Sequence, residues 1–152
     1  MKTASSDEGH LALSTWVRLL KAHSLMLREL RRQMPRDLTV PQFDVLAQLS
    51  RQTEGMTAGQ LTRELLVTAG NVTGIVDRLE QLHLVQRRRL PEDRRAVQVR
   101  LTPRGRRLMR QVLPLHRRQV QSLLAPLAPV ELARLRDLLG LLGHHLAARG
   151  AA

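Results

Sequence analysis

The chain has no cysteine and no tyrosine, one tryptophan (Trp16) and one phenylalanine (Phe43). Without cysteine there are no disulfides, no thiolate metal ligands and no sensing by thiol oxidation. With so few aromatics the apolar content is nearly all Leu, Val and Ala, which favours helices packed on helices. Acidic residues are also scarce, 13 Asp and Glu against 25 Lys and Arg. No apolar run reaches the roughly 20 residues that a bilayer crossing needs. The stretch from Met1 to Glu8 lacks the apolar core of a signal peptide, so a cytoplasmic location is expected.

What is present points to a globular chain that binds a polyanion. A length of 152 residues with 43% hydrophobic content supports one domain with its own core. The formal net charge of +12 is carried almost wholly by arginine. An excess of this size calls for nucleic acid or an anionic membrane surface as partner. The planar fork of arginine suits phosphate and guanine better than lysine does.

Hydrophobic spacing predicts a helix over residues 10–34, through Leu13, Trp16, Leu20, Leu27 and Leu30, closed by Pro35. Thr39-Val40-Pro41-Gln42 is a capping box with proline in the first turn; it opens a helix through Phe43, Val45, Leu46 and Leu49 that ends near Gly55. Thr57-Ala58-Gly59-Gln60 repeats the box and starts a short helix with Leu61 and Leu65. Thr68 is placed to cap a further helix from about Ala69 to His83, with Val72, Ile75, Val76, Leu79 and Leu82 along one face.

At Leu84 the period changes. Leu84 to Leu90 and Ala96 to Leu101 flank a turn at Pro91-Glu92-Asp93-Arg94, with Val97, Val99 and Leu101 on one face and Gln98 and Arg100 on the other. Thr102-Pro103 opens a helix towards Leu124 that Pro114 should kink. After Pro126 and Pro129 a last helix carries Leu132, Leu135, Leu138, Leu139, Leu142 and Leu146. Residues 1–8 and 149–152 read as loose ends. The expected fold is mainly α with a small β-hairpin, in the order α-α-α-α-β-β-α-α.

A short capped helix, a turn and a second helix make a helix-turn-helix, with the second helix placed for the major groove. Any helical bundle contains such a pair; the hairpin directly after it makes the difference. Its flanks hold Arg87, Arg88, Arg89, Arg94, Arg95 and Arg100, so it reads as a basic wing that reaches phosphates or the minor groove. The run Asp93-Arg94-Arg95, followed by Leu101-Thr102-Pro103-Arg104-Gly105, resembles the wing signature of the MarR family, Asp-x-Arg and then Leu-Thr-x-x-Gly. Asn71 to Glu80 also resembles that family's recognition helix, and the similarity spans essentially the whole chain.

The resemblance implies a dimeric winged helix-turn-helix regulator, more often a repressor than an activator, bound to a pseudo-palindromic operator in double-stranded DNA. It implies a single domain over 1–152, with a DNA lobe at about 39–101 and a dimerisation body from both termini, about 10–34 and 103–148. It further implies a small effector, an aromatic acid or its coenzyme A thioester, that releases DNA. The leucine stripes of the flanking helices independently ask for a partner surface, which a homodimer supplies.

On the recognition helix Thr68, Gly70, Asn71 and Thr73 are expected to face DNA; Asn reads adenine with two hydrogen bonds, and Thr touches a thymine methyl or a phosphate. Gly74 stands where several family members carry an arginine, so guanine reading from that position is absent. Arg63 and Arg78 are candidate phosphate contacts, with a structural ion pair equally open to Arg78. At the wing, the carboxylate of Asp93 would orient Arg95 for the minor groove. Arg94 is the alternative arginine, and Asp77 the alternative partner for Arg95.

Trp16 and His23, seven residues apart on one face of the first helix, offer a stacking surface and a hydrogen bond for the effector; packing at the dimer interface is the plain alternative. The six histidines show no metal-ligand spacing, and the adjacent His144 and His145 point about 100° apart on a helix. No nucleophile, acid-base pair or phosphate loop is present, so neither enzyme activity nor a cofactor is expected. The rival readings are a non-specific nucleoid-type DNA-binding protein and a metal-responsive regulator. A membrane-surface reading leaves the wing without a purpose.

Overall fold

The computed structural model describes residues 3–65, 69–89 and 97–150. Helix α1 (Thr3–Arg32) starts earlier than its leucine stripe, so residues 3–8 are helical rather than loose; no proline or glycine interrupts them. The first Thr-x-x-Gln box caps α2 (Val40–Arg51) as expected. The Gln42 N–H donates to Thr39 Oγ1 at 3.4 Å, and the Thr39 N–H donates to Gln42 Oε1 at 2.9 Å. The second box does the same for α3 (Ala58–Leu65), with Gln60 N–H to Thr57 Oγ1 at 3.2 Å and Thr57 N–H to Gln60 Oε1 at 2.7 Å. Thr68, the expected cap of α4 (Ala69–Gln81), lies outside the described residues.

Helix α4 closes with a Schellman motif. The Leu84 N–H donates to Leu79 O and the His83 N–H to Glu80 O, both at 2.9 Å, and His83 takes the left-handed conformation at φ 57°. A side chain there carries a Cβ penalty that glycine avoids. His83→Gly is therefore expected to raise stability by about 0.5–1 kcal/mol. Urea unfolding measures this, and a variant no more stable than the parent would show that the imidazole compensates the strain.

The sheet has one strand more than the hairpin. β1 (Met56–Thr57) pairs antiparallel with β3 (Val97–Leu101), and β3 pairs with β2 (Val85–Arg89), giving the order β1-β3-β2. Two residues leave no alternation to read, which is why β1 is invisible in the sequence. The β2–β3 register runs from Val85 opposite Leu101 to Arg89 opposite Val97. The expected turn at 91–94 falls outside the described residues.

Phe43, Val45, Leu46 and Leu49 of α2 form the centre of the core, packed with Leu61, Val72, Val76, Leu79, Val85, Val99 and Leu101. Met109 and Val112 of α5 (Pro103–Leu124) close it. Thr102 is the joint between the sheet and α5. Its N–H bonds Leu84 O at 3.0 Å, its hydroxyl donates to His83 O at 2.8 Å, and its Oγ1 accepts the Gly105 N–H at 3.0 Å. The Phe43 and His116 rings meet at 4.4 Å between centroids, tilted by 45°. Burial lowers the pKa of His116 against the opposing charge of Asp44, whose own pKa burial raises against that of His116.

Helix α5 continues past Pro114, and α6 (Pro129–Gly150) follows a short turn. The chain divides into two compact units, residues 1–116 and 117–152.

Candidate nucleic-acid interface

The 3.6-residue period of α4 sorts its side chains. Val72, Val76 and Leu79 are buried, so Gly70, Asn71, Thr73, Gly74, Asp77 and Arg78 are exposed. Three of the residues expected to face DNA, Gly70, Asn71 and Thr73, thus lie together near the start of this helix. Arg63 is exposed in the last turn of α3. Thr68 and the wing residues Asp93, Arg94 and Arg95 lie outside the described residues.

Beside α4 runs a shallow groove of about 300 Å³, between Thr39, Pro41 and Gln42 on one side and Asn71, Gly74 and Arg78 on the other. A Cβ at Gly70 or Gly74 would meet nothing within 4 Å, so packing does not require glycine at either position. Arg78 donates to Gln81 Oε1 at 3.1 Å rather than to a carboxylate.

The ion pair in this region belongs to Arg87. Alternation along β2 puts Arg87 on the same face as the buried Val85, turned towards α4. There its Nη2 meets Asp77 Oδ1 and its Nη1 meets Glu80 Oε2, both at 2.5 Å, and its backbone N–H donates to Glu80 Oε1 at 3.2 Å. Burial opposes the charged guanidinium, but the hydrogen bonds and charges of Asp77 and Glu80 outweigh it and raise the Arg87 pKa. The base of the wing is clamped to the recognition helix. Asp77, weighed above as a partner for Arg95, is bound by Arg87.

Arg100 is internally engaged as well, with Nη2 at 2.9 Å from Glu54 Oε2 and 3.2 Å from Gln98 Oε1. Arg88 and Arg89 are exposed. The sequence marks all four equally as wing cations. The available signal for the clamp is the three-residue spacing of Asp77 and Glu80 on one helix face, followed by an arginine at an inward strand position.

Trp16 (53% exposed) and His23 lie on the exposed surface of α1. Among the described residues no group of three or more His, Asp or Glu is placed to hold a metal ion. No described helix is long and apolar enough to cross a membrane.

The MarR family model matches residues 36–96, the span that holds α2, α3, α4 and the wing strand β2. The transcriptional regulator PecS of Dickeya dadantii is 32% identical over 111 residues, 72% of this chain and 67% of PecS. AbsC of Streptomyces coelicolor, a MarR-family regulator, superposes with a TM-score of 0.82 at 28% identity, covering 90% of this chain and 94% of AbsC. BpsR of Bordetella bronchiseptica, whose DNA binding is regulated by 6-hydroxynicotinic acid, gives 0.76 at 28% identity over 89% of this chain and 91% of BpsR. An outward-facing recognition helix, a basic wing tied to it and these likenesses converge: the chain belongs to the MarR family of winged-helix transcriptional regulators.

Proposed function

We propose that the chain is a homodimeric repressor that binds a pseudo-palindromic operator and is released by a small anionic aromatic ligand or its coenzyme A thioester. The observation that carries the reading is the exposed face of α4, with Gly70, Asn71, Thr73 and Gly74 beside a basic wing on a chain of net charge +12. In the major groove, Asn71 reads adenine while Thr68 and Thr73 touch a methyl or a phosphate. The bare backbone at Gly70 and Gly74 permits close approach to the duplex. Arg63 and Arg78 take phosphates, and Asp93 orients Arg94 or Arg95 for the minor groove.

The DNA lobe spans about 39–101, and helices 10–34 and 103–148 make the dimer. Exposed apolar side chains on both flanking helices support this, among them Leu13 and Leu20 of α1 and Leu138 and Leu142 of α6. A two-fold dimer sets its recognition helices about one DNA turn, roughly 34 Å, apart. The effector stacks on Trp16 and bonds His23, and it changes the spacing of the two lobes. The regulation of BpsR by 6-hydroxynicotinic acid supports the ligand class.

The test is a salt titration of binding to the DNA upstream of the chain's own gene, against a scrambled duplex. A specific regulator prefers its own DNA at physiological salt, whereas a nucleoid-type protein binds both alike with a steep salt dependence. Asn71→Ala should relax the preference at one or two base pairs, by about 1–3 kcal/mol each. An unchanged base preference would remove Asn71 from the reading set.

A further inference from the structure

We propose that the chain has a second small-molecule site, enclosed by the C-terminal end of α2, the base of the wing and the first half of α5, and that it takes an amphipathic carboxylate. The cavity there measures about 660 Å³, and neither Trp16 nor His23 lines it. That volume lies within the range of small-molecule pockets, roughly 300–1,000 Å³.

Its two kinds of surface define the ligand. The floor is apolar: Leu49, Leu101 and Met109 are buried core residues, with Leu113 beside them. The rest is cationic. Arg100, Arg106 and Arg110 all contribute, and no Asp or Glu is among the lining residues. Arg106 and Arg110 stand four apart on α5 and share a face. Arg106 is fixed, its Nη1 donating to Leu101 O at 2.7 Å. An apolar floor with convergent guanidinium groups suits a molecule with a hydrophobic body and one carboxylate, because arginine binds carboxylates with paired hydrogen bonds.

Arg100 gives the second argument. Its Nε is buried without a hydrogen-bond partner, a costly state for a donor on a charged group. Its partner Glu54 is largely exposed, and an exposed ion pair of this kind is weak. The stem of Arg100 rests against Gly55, where φ is +89° and an added Cβ would collide with Arg100 Cγ and Val99 O. Arg100 is thus set between the loop after α2 and the cavity, with an unfilled donor that a ligand carboxylate can satisfy once the guanidinium turns towards it. The aliphatic and methionine floor, lacking any aromatic ring, selects for hydrophobic bulk rather than for stacking.

The experiment is isothermal titration calorimetry of the DNA-free, full-length protein with 2-naphthoate, and with 2-naphthylmethanol as its uncharged counterpart. Because DNA is absent, failure of this site and failure of ligand-relieved repression are separate results. The wild type should bind naphthoate at least tenfold more tightly than the alcohol. Arg110→Gln, an exposed position, should weaken naphthoate about tenfold, the size of one charge-assisted hydrogen bond. Arg100→Gln should weaken it by a similar factor, and Trp16→Ala should leave it unchanged. No binding at millimolar naphthoate, equal binding of the alcohol, or loss of binding in Trp16→Ala with none in Arg110→Gln would each overturn the proposal.

Discussion

Arg87→Gln is expected to weaken operator binding about tenfold at low salt, a larger loss than removal of a single solvated cation should cause. The reason is the company Arg87 keeps. It sits between Asp77 and Glu80 and neutralises one of the two carboxylates on the recognition helix. Glutamine leaves both charges uncompensated beside the surface that approaches phosphate. Both carboxylates are partly exposed, so the loss of folding stability should stay near 1 kcal/mol. Operator affinity should therefore fall much more than stability.

Salt distinguishes charge from shape. If repulsion dominates, the defect of Arg87→Gln shrinks as ionic strength rises, because screening shortens the reach of the carboxylates. The companion variant Asp77→Asn with Glu80→Gln removes the same clamp and leaves a positive charge; it is expected to keep or gain affinity at low salt. Fluorescence anisotropy with an operator duplex at two salt concentrations measures both. Wild-type affinity of Arg87→Gln at low salt would end the argument that the clamp serves DNA binding.

The contrast between local and distant signals explains what the sequence could reveal. Both Thr-x-x-Gln boxes are legible because each is a reciprocal pair of hydrogen bonds within three residues, closed whatever the rest of the chain does. The exposed face of α4 is legible because Val72, Val76 and Leu79 fix which side is buried. The MarR likeness is readable for the same reason: its motifs are short and contiguous, and the family match confirms it.

The pairing of Arg87 with Asp77 and Glu80, and of Arg100 with Glu54 across 46 residues, depends on how the elements dock. Spacing along the chain does not encode that. The same holds for β1, whose two residues become a strand only because β3 passes beside them. The cavity lined by Arg100, Arg106 and Arg110 is assembled from three separate elements and has no linear signature.

Gly105 closes the Leu-Thr-x-x-Gly run, and its replacement tests what that run does. Gly105→Ala is expected to destabilise the fold by about 2–3 kcal/mol, at the upper end of overpacking in a close-packed interior. Gly105 is buried in the first turn of α5, and an added Cβ would collide with the carbonyl oxygen of Leu84. That oxygen has little freedom to retreat, because it accepts the Thr102 N–H at 3.0 Å. Relief must come from α5 moving away, which strains the Thr102 bonds to His83 and Gly105 and lifts Met109 and Val112 from the core. For a chain of this length a melting point lower by roughly 5–10 °C follows.

Gly74→Ala is the matched control. The same methyl group is added within a helix, but into open space, so helix propensity alone acts and stability should rise by about 0.5–1 kcal/mol. Opposite signs from one chemical change would separate a glycine held by packing from one left bare on the recognition helix. If Gly105→Ala melts with the parent, the joint is looser than its hydrogen bonds imply, and the run must be explained by some contact other than that of α5 with the wing.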